Sequence, residues 1–262
     1  MNHSMNNLTA IIGGSALSQL PGLRIQERQV VRTPFGEPSG VLIFGQIGQA
    51  RVVFLARNGY GRTIAPHLIN YRANIWALHS VGVERIIAVS AVCSLNADWQ
   101  AGTILIPDQI IDYTTGRDNT FYDNTDATEN EITPLDFTYP FDAAVRNALL
   151  KTARMQKIAA MESGTYACTQ GPRLQTAAEI QRSIRDGAHV VGQTVMPEAV
   201  LARELQLPYA MLALITNRSQ YLEKQSQPAE ILTSAPIVSA PALTDLQAML
   251  AHTVQDLARI NT

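Results

Sequence analysis

The sequence predicts an α/β fold, and three observations predict it. Short β-rich apolar runs recur along the chain, segments with helical spacing of apolar residues lie between them, and 46% of the residues are hydrophobic against 16% charged. That balance supplies enough apolar material for a sheet covered by helices on both faces. At 262 residues the chain is long for one domain, yet α/β layers around one sheet reach this size, so residues 1–262 are expected as a single domain with 1–7 as a flexible tail.

The expected strands, in order, are Leu8 to Ile12, Val41 to Phe44, Arg51 to Ala56, Arg85 to Val89, Thr103 to Ile106, His189 to Val191 and Tyr209 to Ile215. Their near-continuous hydrophobicity marks burial on both faces. The expected helices are Pro66 to His79, with Leu68, Tyr71, Ile75 and Leu78 on one face, then Asp142 to Met155, Thr176 to Arg185 and Pro197 to Leu205. A last helix, Leu243 to Ile260, spaces Leu243, Leu246, Leu250, Val254 and Leu257 as a packing face. Thr114 to Tyr139 is rich in Asp, Asn and Thr and reads as a long surface excursion, while Asn217 to Pro228 reads as a lid or a loose connection.

The formal charge of −2 and the lack of any Lys/Arg block exclude a broad footprint for nucleic acid or an anionic membrane, so a small ligand is expected. Cys93 and Cys168 are too few for a disulfide framework and are expected as reduced thiols in a cytoplasmic protein. The first residues lack the basic and apolar regions of a secretion signal, and no apolar run approaches the roughly 20 residues of a membrane span. None of the five histidines reads as a catalytic base, and no His/Cys/Asp cluster has metal-ligand spacing.

Three strand ends could carry chemistry. In Ile11-Ile12-Gly13-Gly14-Ser15 a strand runs into two glycines and a hydroxyl, which suits either an anion nest or a plain strand-ending turn. Arg57, in Leu55-Ala56-Arg57-Asn58-Gly59, suits either a bidentate phosphate grip or a solvated strand-end arginine. Val89-Ser90-Ala91-Val92-Cys93-Ser94 offers clustered hydroxyl and backbone donors, or an ordinary strand terminus.

The order and spacing of these pieces, with Thr33-Pro34-Phe35-Gly36, Asn70-Tyr71-Arg72-Ala73-Asn74, Ile111-Asp112-Tyr113-Thr114, Gly171-Pro172-Arg173 and Met196-Pro197-Glu198-Ala199, resemble the purine nucleoside and methylthioadenosine phosphorylases. Asn217-Arg218-Ser219, in place of Asp-x-Asp, resembles the bacterial methylthioinosine-specific branch. The resemblance implies a mixed central sheet flanked by helices and a pentosyltransferase that cleaves a purine nucleoside with inorganic phosphate, without metal or organic cofactor. By position it implies Ser15, Arg57, Asn58, Ser90, Ala91 and Thr194 around phosphate, Ala91 through its backbone. Gln193 would lie at the ribose, Gln175, Asn217 and Ser219 in the nucleoside site, and Asn217 would be the catalytic residue, its amide favouring 6-oxopurines. A homotrimer with sites near subunit boundaries is also implied.

Four positions depart from the family pattern. Asn58 replaces a phosphate-side histidine and cannot carry charge, with Arg62 a candidate substitute cation. Cys93 replaces a glycine, which costs on the order of 1 kcal/mol if the position needs positive φ. Gln193 replaces a methionine and Gln175 a glutamate. These departures motivate two alternatives: a nucleoside-binding or structural protein that has lost catalysis, and a phosphate-independent nucleosidase.

Overall fold

The computed structural model of the chain describes residues 7–14, 20–122, 134–219, 222 and 239–260. Among these, eleven strands form one mixed sheet. They are β1 (Leu8–Gly13), β2 (Leu23–Gln29), β3 (Leu42–Ile47), β4 (Ala50–Ala56), β5 (Arg85–Ser94), β6 (Ile104–Leu105), β7 (Gln109–Tyr113), β8 (Ala160–Met161), β9 (Thr165–Thr169), β10 (Val190–Gly192) and β11 (Tyr209–Arg218). The helices are α1 (Tyr71–Ser80), α2 (Ala143–Met155), α3 (Ala177–Arg185), α4 (Glu198–Glu204) and α5 (Ala240–Ile260). None of the helices described is long and apolar enough to cross a membrane.

The central strand is β5, and its two edges are used differently. One edge pairs along most of its length with β11, in parallel. The other edge pairs in parallel with β1 as far as Ile12 against Ala88, and in antiparallel with β10 from Cys93. Between those two partners no described strand pairs with that edge from Val89 to Val92. The sheet splits there, and the split positions the candidate site.

Side chains alternate across the strands, which builds a three-layer core. Leu8, Ala10 and Ile12 of β1 with Ile86 and Ala88 of β5 pack beneath Ile75 and Leu78 of α1 and Ala199 and Leu201 of α4. Ile11, Ile87 and Val89 face the opposite way, against Val145 and Leu149 of α2 and Leu246, Leu250 and Val254 of α5. The apolar stripe expected on the last helix is thus a packing face.

Several elements differ from expectation for local reasons. The helix expected from Pro66 begins only at Tyr71, because Asn70 caps it by accepting from the Ala73 N–H (3.0 Å) while Pro66–Leu68 forms a separate 3-10 turn. Asp142 and Thr176 likewise sit outside the helices they start, as N-caps of α2 and α3. Strands β2, β7, β8 and β9 add to those expected. β2, Leu-Arg-Ile-Gln-Glu-Arg-Gln, is exposed along nearly its whole length at the sheet edge, so no burial pattern marks it.

The excursion Thr114 to Tyr139 is not wholly superficial. Phe121 is buried and meets the Phe35 ring at 5.0 Å and Trp76 at 5.9 Å, and Arg117 turns inward. Its residues 123–133 lie outside the described residues, as do 1–6 of the expected tail and most of Asn217 to Pro228. Asn217 itself is not in a connection but inside β11, which runs to Arg218.

Candidate active site

The split edge of β5 gathers four of the predicted residues, Arg57, Ser90, Ala91 and Thr194. Ile86 N–H donates to Pro208 O on the β11 side, whereas Val89 O receives Arg57 Nη1 (2.9 Å) from the opposite side. Backbone groups alternate between edges along a strand, so Ala91 directs its N–H to the same side as Val89. Ala91 is exposed although its neighbours Ser90 and Val92 are buried. A small residue in the middle of a central strand thus stays accessible, with an N–H turned to the unpaired edge.

Two hydroxyls converge beside it. Ser90 Oγ and Thr194 Oγ1 lie 2.8 Å apart although they are 104 residues apart in sequence, and both residues are buried. Thr194 is held in turn by its N–H, which donates to Tyr166 Oη (3.2 Å). Burial first, and Cys168 nearby, raise the pKa of Tyr166 far above the usual phenol range, so it stays neutral.

Arg57 is not a solvated strand-end residue. It is buried, and its Nε and Nη2 pair with the Glu198 carboxylate at 2.6 and 2.7 Å. Nη2 also approaches Ile12 O (3.5 Å). Burial alone works against its charge, but Glu198 overrides that and holds the guanidinium above its ordinary pKa. The bidentate fork expected to grip phosphate is thus turned to Glu198. Of the five N–H groups of a guanidinium, one on Nη1 has no partner among the described residues. Glu198 also accepts from Tyr209 Oη (2.8 Å), whose pKa burial raises well above the usual value. Neither Glu198 nor the two tyrosines stood out as site residues in the sequence; only the Met-Pro-Glu-Ala run pointed near one of them.

Asn217 reaches Cys93 of β5 through a bulge. Ile215 pairs with Val92 and Asn217 with Cys93, leaving Thr216 as the extra residue in β11. Bulges re-aim side chains, and here the result is Asn217 Nδ2 at 3.4 Å from Cys93 Sγ and 3.3 Å from Arg218 O. Thr216 Oγ1 donates to Asn217 Oδ1 (2.9 Å), which fixes the amide plane.

Cys93 lies within a paired strand and is not among the residues with positive φ. The strain that its replacement of glycine would bring is therefore absent. The thiol is half-buried, whereas Cys168 is fully buried and burial pushes its pKa up to about 12. A thiol reagent at pH 8 is expected to modify one equivalent in the native protein, at Cys93, and the second only after unfolding. Peptide mapping that finds Cys168 labelled as fast as Cys93 would contradict this.

Gln193 and Gln175 lie just past the ends of β10 and β9. Gln175 Nε2 donates to Thr169 Oγ1 (2.7 Å), and that hydroxyl donates to Gly192 O (3.2 Å), tying the 175 loop to the end of β10. Gln193 Nε2 donates to Arg173 O (3.0 Å), and its Oε1 lies 2.5 Å from where a Cβ on Gly171 would be. Gly171 has φ +65°, a backbone conformation that favours glycine. A cavity of about 330 Å³ opens beside this loop. Of the predicted residues it includes only Gln175, so it does not coincide with the split edge of β5.

The remaining predicted residues are placed as follows. Asn58 spends its amide within its own loop, donating to Ile64 O (2.9 Å), and Ser219 is buried with its N–H on Ser94 O (3.0 Å). Arg62 is exposed with φ +57°, and Ser15 lies outside the described residues. His189 is structural, accepting from the Thr165 N–H and stacking on Trp99 at 5.4 Å.

Paired hydroxyls, a backbone N–H turned to an unpaired strand edge and a buried arginine meet at one place, a set of donors whose chemistry suits an anion. The chain matches the phosphorylase superfamily over residues 9–249 and belongs to it. It is 48% identical over 208 residues to a probable S-methyl-5'-thioinosine phosphorylase of Pseudomonas syringae pv. tomato, covering 79% of this chain and 83% of that one. To a 6-oxopurine nucleoside phosphorylase of Pyrococcus furiosus it is 47% identical over 210 residues, with 79% and 78% covered. Its fold is similar to that of a mutant adenosine/methylthioadenosine phosphorylase of Schistosoma mansoni in complex with adenine, at 28% identity and a TM-score of 0.84 over 96% of this chain and 91% of that one.

Proposed function

We propose that this chain cleaves a purine nucleoside by phosphorolysis, with a preference for S-methyl-5'-thioinosine or another 6-oxopurine nucleoside. An oxygen of hydrogen phosphate forms a bond to C1′ as the C1′–N9 bond breaks; the electron pair of that broken bond passes to the purine, which takes up a proton at N7, balanced overall by the proton that hydrogen phosphate gives up on becoming the sugar phosphate. The products are the free base and a pentose 1-phosphate. Inorganic phosphate is the co-substrate, and the chemistry calls for no metal or organic cofactor. The observation that carries this reading is the meeting of Ser90 and Thr194 at the open edge of β5 beside Arg57.

The transition state places a cationic sugar carbon between an anion and a departing base, so positioning and electrostatics carry the catalysis. Phosphate takes hydrogen bonds from the Ser90 and Thr194 hydroxyls once their bond to each other opens, from the Ala91 N–H, from the remaining Nη1 N–H of Arg57, and from the second amide N–H of Asn58, the first staying on Ile64 O; Ser15 is assigned to phosphate by its place in the sequence alone. Gln193 borders the ribose, with Gln175 and Ser219 toward the base. Asn217 acts at the purine: its amide donates to O6 and serves N7 as negative charge builds on the leaving base. The lack of positive φ at Cys93 removes one of the grounds for reading a decayed site. The active form is a cytoplasmic homotrimer in this reading.

The test is base release from S-methyl-5'-thioinosine, S-methyl-5'-thioadenosine and inosine, each with and without phosphate. Hypoxanthine release that requires phosphate is expected. Release at equal rates without phosphate would make the protein a nucleosidase, and binding without turnover would make it a binding module.

A further inference from the structure

Arg117 comes from the excursion before the undescribed residues 123–133, and its guanidinium sits at the meeting point of three segments that the candidate site needs. Its Nη2 donates to Gln170 O (2.7 Å), Gln193 O (2.9 Å) and Thr169 O (3.3 Å). Its Nη1 donates to Met196 O and to Tyr71 Oη (3.2 Å), and its Nε to Gln170 Oε1 (3.2 Å). The guanidinium also lies 5.3 Å from the centre of the Tyr71 ring. No carboxylate among the described residues pairs with it. Its partners are the ends of β9 and β10, the turn into α4, and α1.

Backbone carbonyls aimed at one point repel one another, and only a planar, multiply donating cation satisfies so many at once. The segment held this way, from Gly192 to Pro197, contains Gln193 and Thr194, and Thr194 is the partner of Ser90. We propose that Arg117 is a positioning residue for the reaction: by clasping the carbonyls of Gln170, Gln193 and Met196 it fixes the segment that presents Thr194 to Ser90 and Gln193 to the sugar. The proposal rests on the phosphorolysis reading for its catalytic part, and on the geometry alone for its structural part.

The experiment compares the full-length protein with Arg117→Ala and Arg117→Lys by amide hydrogen exchange and by steady-state kinetics with phosphate and nucleoside varied separately. In Arg117→Ala, exchange at Gln193 to Met196 is expected to rise at least about 10-fold while α2 and α5 keep their protection. Misplacement by about an ångström costs on the order of 100-fold in turnover, so kcat/KM should fall by about that factor, Arg117→Lys lying between, and added guanidinium ion should restore part of the Arg117→Ala loss. Unchanged exchange at 193–196, or a uniform rise across all helices with no rescue, overturns the proposal. A wild-type protein without phosphorolysis defeats the functional reading instead, and the exchange data then still decide whether Arg117 holds the segment.

Discussion

Replacing Glu198 with alanine is expected to lower the unfolding free energy by about 3–5 kcal/mol, the cost of stranding one member of a buried ion pair. Glu198 has no exposed surface, and its carboxylate receives Arg57 Nε at 2.6 Å, Arg57 Nη2 at 2.7 Å and Tyr209 Oη at 2.8 Å. The substitution leaves a guanidinium charge in the core, a phenol without an acceptor and a small cavity at the start of α4. Each penalty has the same sign. Glu198→Gln preserves the shape and part of the hydrogen bonding but not the counter-charge, so it should fall between the wild type and the alanine variant. Urea titration checks this: the midpoint should move and the slope stay constant, since the same surface is exposed on unfolding. A midpoint that does not move in Glu198→Ala would mean that Arg57 finds another counter-charge. The pair need not add net stability over an apolar pair; its consequence is that Arg57 is held in one pose beneath the open edge of β5, and activity should be lost with it.

The second large effect is expected at Asn217. In Asn217→Asp the preference should turn from 6-oxopurine toward 6-aminopurine nucleosides. The amide now directs Nδ2 toward Cys93 Sγ and Arg218 O and keeps Oδ1 on the Thr216 hydroxyl. A carboxylate has no donor for O6 and sets its second oxygen against the Arg218 carbonyl, so both the bound base and the resting pose are penalised. Loss of one such bond beside developing charge is worth about 1.5–3 kcal/mol, or about 10- to 150-fold in kcat/KM for the 6-oxopurine substrate. The ratio of kcat/KM for S-methyl-5'-thioinosine to that for S-methyl-5'-thioadenosine measures the change with stability effects cancelled. A ratio that stays constant would remove Asn217 from base selection.

What was legible in the sequence follows the range of the interactions involved. Strands β1, β4, β5 and β11 could be read from their apolar runs, because two-sided burial leaves little room for polar residues, but β5 and β11 were read only as far as Val89 and Ile215, so Ser90 and Asn217 stood just past the expected ends of strands that in fact contain them. α1 was found but begun too early, since Pro66–Leu68 and Asn70 only reveal a separate turn and a cap once φ and ψ are known. β2 was invisible, because an exposed edge strand needs no hydrophobic pattern. Thr194 and Gln193 entered only through likeness to the phosphorylases; no local feature marks either.

By itself the sequence determined the α/β class, the order of the main strands and helices, and the residue types that can hold an anion, because periodicity and strand-end motifs act over a few residues. The tertiary structure alone decided that β5 loses one partner before it gains the next, that a bulge at Thr216 swings Asn217 beside Cys93, and that Arg57 spends its fork on Glu198, 141 residues away. It also decided that Arg117 gathers carbonyls from 52 to 79 residues further along the chain. Those outcomes depend on which buried polar groups find partners once the layers close, and that pairing is settled by long-range packing that local pattern does not encode.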